Sequence, residues 1–174
     1  MKLSPKAQKA WSIISGVLVS VVVILAILLA GARIIGLQPY NVLSGSMEPT
    51  YSEGDLIYVK KASASSVKVG DPITFVLNED LVVATHRVVE IDWEKQCFYT
   101  QGDAMDHRDG APVHFNNLVG VPVFSLPWLG YVSDFIQTSP GMYIAIGTIV
   151  LLVAAVFLPD LIKKKSAPSK EETQ

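Results

Sequence analysis

The chain has 174 residues, half of them hydrophobic, a formal net charge of −2 and a mean hydropathy of +0.38. So apolar a composition excludes an ordinary soluble domain and puts bilayer-spanning segments first. Between Ile34 and Pro140, six Lys/Arg stand against thirteen Asp/Glu, a formal charge of −7; this leaves no basic footprint for nucleic acid, and no phosphate-cradling glycine loop is present.

From Ala10 to Ala32 no side chain is charged, and at ~1.5 Å per residue the Val/Ile/Leu-rich run Ile13–Ala30 is long enough to cross a ~30 Å hydrocarbon core as a helix. Ala30-Gly31-Ala32 resembles a signal-peptide cleavage site, but the apolar run exceeds the ~7–15 residues of such peptides. The segment is therefore expected to be an uncleaved anchor. Next come short β-rich runs, Leu56–Val59, Ile73–Leu77, Leu81–Ala84, Val88–Ile91 and Cys97–Thr100, separated by Gly, Pro, Asn, Asp and Ser clusters. Ala62–Ser66 is a surface loop by composition, Asn78-Glu79-Asp80 a hairpin turn, and Val69–Pro72 a turn entering a strand. Cys97 is a lone cysteine in a strand, which excludes an intramolecular disulfide and reads as inert packing.

A second uncharged stretch, Phe135–Pro159, is loosened by Pro140, Gly141 and Gly147; a second span is expected, with a buried helix as the alternative. Lys2, Lys6 and Lys9 precede the first span and Lys163–Lys165 follow the second, so both termini are expected in the cytoplasm and the middle outside, in a multi-pass protein. The organisation is then a cytoplasmic N-terminus over 1–10, a span over 11–32, a mainly β extracytoplasmic domain with one small core over 38–138, a span over 141–159, and a basic tail over 160–174, disordered from about Ser166.

A serine hydroxyl attacks only when a neighbouring base takes its proton and a third group holds the base. Ser46, on a glycine-containing turn ahead of Pro49, and His86, on an apolar strand, are candidates for the first two roles, although a lone strand histidine is more often structural. His107 and His114 fall in polar, turn-rich sequence, and three histidines without matched spacing do not argue for zinc. No metal and no cofactor is expected.

Taken together, Ser44-Gly45-Ser46-Met47-Glu48-Pro49-Thr50, Gly54-Asp55-Leu56-Ile57, Gly70-Asp71-Pro72-Ile73-Thr74-Phe75, Thr85-His86-Arg87-Val88 and Thr100-Gln101-Gly102-Asp103 resemble, in order, the conserved boxes of type I signal peptidases, peptidase family S26. His86 where bacterial relatives carry lysine points to the endoplasmic-reticulum-type, Ser–His branch. The resemblance covers about Val42–Val132 and implies a signal-peptidase-like β fold flanked by one N-terminal and one C-terminal transmembrane helix. It implies Ser46 as nucleophile, His86 as general base and Asp109 as the acid that orients it, with Ser44 at the oxyanion hole and Asp103 supporting the loop. Asp106 is a rival to Asp109, and Gln101 stands where relatives carry lysine. The implied activity is cleavage of signal peptides after small residues at −1 and −3. The partners implied are the signal peptides of preproteins emerging from the translocon and membrane lipid, in the cell or endoplasmic-reticulum membrane.

Val82, Val83 and Ala84 are candidates for the strand edge that binds the peptide, or else ordinary sheet core. Met47 with Tyr40, Val42 and Leu43, and the stretch from Phe124 to Tyr131, are expected to dip into the lipid interface. Alternatives are a catalytically silent membrane adaptor retaining the fold, and a Ser–Lys protease using Lys60 or Lys61.

Overall fold

The computed structural model describes residues 5–77 and 82–165. The expected turn at Asn78–Asp80 and the tail from Ser166 lie outside them.

Helix α1, Pro5–Leu29, carries no charge after Lys9, and its stretch Lys9–Leu29 is long and apolar enough to cross a membrane with none of the central window buried in the protein. In such surroundings a helix is the form that satisfies every backbone polar group within one segment. Helix α3, Ser139–Lys165, contains the second candidate span, Ser139–Val156, with a window only 6% buried; this departs from the alternative of a buried helix. The two helices touch where the Trp11 indole N–H donates to the Ala155 carbonyl at 3.4 Å.

Between them the chain forms a curled, wholly antiparallel sheet of seven strands: β1 Leu37–Asn41, β2 Leu56–Lys60, β3 Pro72–Val76, β4 Val83–Asp92, β5 Cys97–Gln101, β6 Val113–His114 and β7 Leu118–Leu126. Their order is β1-β2-β7-β3-β4-β5-β6. A short helix α2, Leu129–Gln137, follows β7. Strand β7 joins the two halves, pairing with β2 through Val121–Leu126 and with β3 through Leu118–Gly120. Gly120 permits this, because a Cβ there would run into the Lys60 carbonyl of β2.

The elements depart from the expected runs in several places. β1 and β7 each contain a proline, which removes a ladder donor; Pro39 is tolerated because β1 is an edge strand, and Pro122 because the β2–β7 register shifts beside it, between Tyr58 and Val59. Val83–Ala84 and Val88–Ile91, expected as parts of separate strands, lie in the single strand β4, which carries the polar Thr85-His86-Arg87 in its middle and a bulge between Val88 and Glu90. Ala64–Ser66 of the expected surface loop forms a 3-10 turn.

Buried side chains gather in separate clusters rather than one core. Val67, Ile73, Phe75, Val88, Phe98 and Val113 pack under β3, β4 and β5, and Met47, Tyr51, Ile57 and Val59 pack under β2. Cys97 is a buried free thiol in β5.

Candidate active site

Ser46 sits in a single 3-10 turn, Gly45–Met47, entered from an extended Ser44. Met47 is 2% exposed and packs with Tyr51, Ile57 and Val59. Its apolar side chain thus anchors the turn while Ser44 and Ser46 stay near the surface. This corrects the expectation that Met47 reaches lipid: burial against its own core is available without leaving the domain. Leu43 and Trp128, by contrast, are exposed at 78% and 76%. The Glu48 N–H donates to the Gly45 carbonyl at 3.0 Å and the Tyr51 N–H to Met47 at 2.9 Å, closing the bend.

His86 projects from β4, opposite Ile73 of β3, with its ring edge-on to Phe75 at 6.2 Å. Its Nε2 lies 3.2 Å from the Ser46 hydroxyl and its Nδ1 2.6 Å from Asp109 Oδ2. Those lengths suit a serine–imidazole hydrogen bond and a close imidazole–carboxylate pair. Asp109 is held at both ends by β5: its own N–H donates to the Thr100 carbonyl at 2.8 Å, and the Thr100 hydroxyl donates to Asp109 Oδ2 at 2.6 Å. Thr100 itself is 1% exposed, so the carboxylate is fixed to a rigid strand although it comes from a loop. Asp106, the rival acid, is exposed, as are His107 and His114. Ser44 Oγ lies 3.3 Å from Ser46 Oγ.

Asp103 does not touch His86 but makes a second cluster around the next residue of β4. The Arg87 guanidinium donates to both its oxygens, at 2.7 and 2.5 Å, to the Gly70 carbonyl at 2.7 Å and to the Thr50 hydroxyl at 3.2 Å, while Thr50 donates to Asp103 at 2.5 Å. Arg87 thereby ties the Ser46 segment, the turn before β3 and the Gly102–Asp103 loop together. The guanidinium holds the Asp103 carboxyl below the usual carboxylate range, against a smaller opposing effect of burial. The same pair raises the Arg87 pKa. Burial raises that of the Tyr51 hydroxyl beside them.

The Gly102 loop also touches the backbone of Ser46. Ala104 N–H donates to the Ser46 carbonyl at 3.0 Å, and a Cβ on Gly102 would come within 2.5 Å of that oxygen. Gln101, where a lysine was expected from the resemblance, donates from its amide to the Met105 carbonyl at 2.6 Å and braces the loop. Sequence reasoning missed Arg87, Thr50, Thr100 and Gly102 as working residues. A signal was present for Arg87, one of only six cations in an acidic segment and adjacent to the candidate base.

Val83 and Ala84 open β4, and Val82, just before it, accepts from the Leu77 N–H at 2.7 Å. β5 joins β4 only from Arg87 onward, so no strand among the described residues pairs with the other edge of 83–86. Among the described residues no three His, Cys, Asp or Glu side chains gather as metal ligands would.

Such a relay can withdraw the proton of an alcohol and return it to a leaving group. Comparison with known proteins gives it a family. Signal peptidase I W of Bacillus subtilis is 33% identical over 112 residues, 59% of this chain and 58% of that protein. The signal peptidase complex catalytic subunit SEC11 of Lodderomyces elongisporus is 33% identical over 121 residues, 64% of this chain and 71% of that protein. SEC11 of Candida albicans (strain SC5314) matches with the same identity and coverage. The chain thus spans less than two thirds of the Bacillus protein. A family model described as signal peptidase, peptidase S26, matches residues 15–121, well over half of the sequence from within α1 into β7, and the chain belongs to that family.

Proposed function

We propose that this protein is a membrane-bound serine endopeptidase that removes signal peptides from preproteins, cutting after small residues at −1 and −3. The observation that carries the reading is the serine–histidine–aspartate contact, 3.2 Å and 2.6 Å, in a chain whose relatives are signal peptidases.

Ser46 Oγ attacks the carbonyl carbon of the −1 residue as its proton passes to His86 Nε2. Asp109, bound to Nδ1, keeps Nε2 free to accept and stabilises the imidazolium that forms. The Ser44 hydroxyl, 3.3 Å from Ser46 Oγ, is placed to donate to the developing oxyanion together with the Ser46 N–H. Collapse expels the amine of the mature chain, which takes the proton from His86 and leaves an ester on Ser46. Water, deprotonated by His86, then hydrolyses the ester and frees the serine.

The peptide binds along the unpaired edge of 83–86. Leu77 donates to Val82, so in an antiparallel ladder the backbone groups of Ala84 and His86 are spent on β3, and those of Val83 and Thr85 face the free edge. The two candidate spans keep the enzyme with substrates that are themselves in the membrane, the termini on one side and the sheet on the other.

The test uses the full chain in detergent with a preprotein, and mass spectrometry of the new N-terminus. Cleavage after a small −1 residue is expected, and Ser46→Ala and His86→Ala should each cost at least about 10³-fold. Full activity in His86→Ala would remove the histidine mechanism.

A further inference from the structure

A cleft of about 310 Å³ opens beside His86, between the end of the β3–β4 pair and the loop that carries Asp109. Phe75, Leu77 and Ala84 supply an apolar wall, and Asp109 and Ala111 lie across from them. His86 and Asp109 of the relay border it on one side.

Strand alternation says what faces it. Successive side chains of a strand point to opposite faces, and cross-strand partners share a face. Phe75 pairs with Ala84 and Ile73 with His86, so these four lie on the cleft face. Val83 and Thr85 lie on the other, where Thr85 is hydrogen-bonded at 2.8 Å to a fully buried Thr74. On the cleft face Ile73 and Phe75 are themselves buried in the core, and the cleft opens beside them toward Leu77, Ala84 and the Asp109 loop.

We propose that the cleft receives the side chain at −2 of the cleaved peptide and selects a large apolar residue there. This rests on the peptidase reading and extends its specificity. A peptide added along the edge of 83–86 alternates as β4 does, so −1 and −3 share one face and −2 takes the other. Volume decides which. The cleft holds about 310 Å³, and a methyl side chain in it would have few atoms to touch. Small residues at −1 and −3 therefore belong on the face of Val83 and Thr85, away from the cleft. The −2 side chain then turns toward Ala84 and the cleft, where Leu or Phe gains contact with Phe75 and Leu77 that Ala cannot reach.

The experiment measures kcat/KM of the detergent-solubilised full chain on preproteins with Ala at −1 and −3 and Ala, Ser, Leu, Phe or Asp at −2. Leu and Phe should exceed Ala by about ten-fold or more, the scale on which an apolar site reads side-chain size. Ala111→Trp, which occupies the cleft, should bring the Leu-to-Ala ratio close to one. Asn117→Trp, also lining the cleft, serves should that variant not fold. A flat −2 profile while Leu at −1 still blocks cleavage overturns the proposal and leaves the peptidase reading intact. A Leu-to-Ala ratio unchanged in a folded variant also overturns it. Absence of cleavage of any preprotein, or indifference to −1, overturns both.

Discussion

Replacing Gly102 by alanine tests whether the Gly102–Met105 loop sets the position of Ser46, the proposed nucleophile. A Cβ at 102 would stand 2.5 Å from the Ser46 carbonyl oxygen, 2.9 Å from Met105 Cγ and 3.3 Å from the Ser46 carbonyl carbon. The Met105 side chain can swing away, but the Ser46 oxygen is backbone and is also the acceptor of the Ala104 N–H. Ordinary contact begins near 3.4 Å, so one side must retreat by about 0.9 Å. Gly102 does not need a left-handed backbone, which makes the effect steric and local. If the Ser46 turn moves, its hydroxyl leaves the 3.2 Å contact with His86, and a misplacement of about 1 Å costs on the order of 10²-fold in rate. That is about 2.7 kcal/mol of transition-state stabilisation. The assay is kcat/KM on a preprotein, with thermal unfolding followed alongside. We expect kcat to fall far more than KM rises, in a protein that still unfolds cooperatively. A folded Gly102→Ala variant with kcat/KM within about two-fold of the parent would refute the coupling between loop and nucleophile.

Three further outcomes follow from the same geometry. Asp109→Asn should lower kcat/KM by about 10³–10⁴-fold, because an amide at that place favours the wrong imidazole tautomer; Asp106→Asn should have little effect, and the reverse order of the two rates would move the acid to Asp106. Arg87→Lys should lose the two-point grip on Asp103 and cost roughly 1.5–3 kcal/mol in urea unfolding, and a lysine variant as stable as the parent would refute the clamp. The Asp103 carboxyl is held below its unfolded value, so its pair with Arg87 stabilises fully above the unfolded pKa of about 3.9 and is lost as pH falls through the folded value. Asp103→Asn should therefore flatten the acid limb of stability below about pH 4, and parallel limbs for parent and variant would contradict it.

Much was legible from residue order. The two candidate spans show as uncharged apolar runs of helical length, since hydropathy over some twenty residues is a local property. Strands β2, β3 and β5 lie within a few residues of their β-rich runs. β1 and β7 did not, because proline lowers strand propensity unless the chain finds an edge or an irregular register, and that depends on the neighbouring strand. β4 was read as two pieces because polar residues interrupt its apolar pattern. Thr85, His86 and Arg87 are paired to β3, and His86 and Arg87 make the contacts of the candidate site, so local pattern and tertiary placement disagree at these positions.

The candidate site divides the same way. Sequence singled out Ser46 and His86 by residue type and setting, and its ordered boxes agreed with the family. It left Asp106 and Asp109 as rivals, since three residues of spacing in a loop do not say which carboxylate turns inward. The fold separates them by anchoring Asp109 to the buried Thr100 through its backbone and its side chain, while Asp106 faces solvent. The same holds for Arg87, whose partners Thr50, Gly70 and Asp103 are 37, 17 and 16 residues away. Sequence alone determined which segments are apolar enough for a membrane and which side chains are candidates for the chemistry, because both depend on the residues themselves. Which of those side chains meet was decided by the tertiary structure, because hydrogen bonds act over about 3 Å in space and are indifferent to distance along the chain.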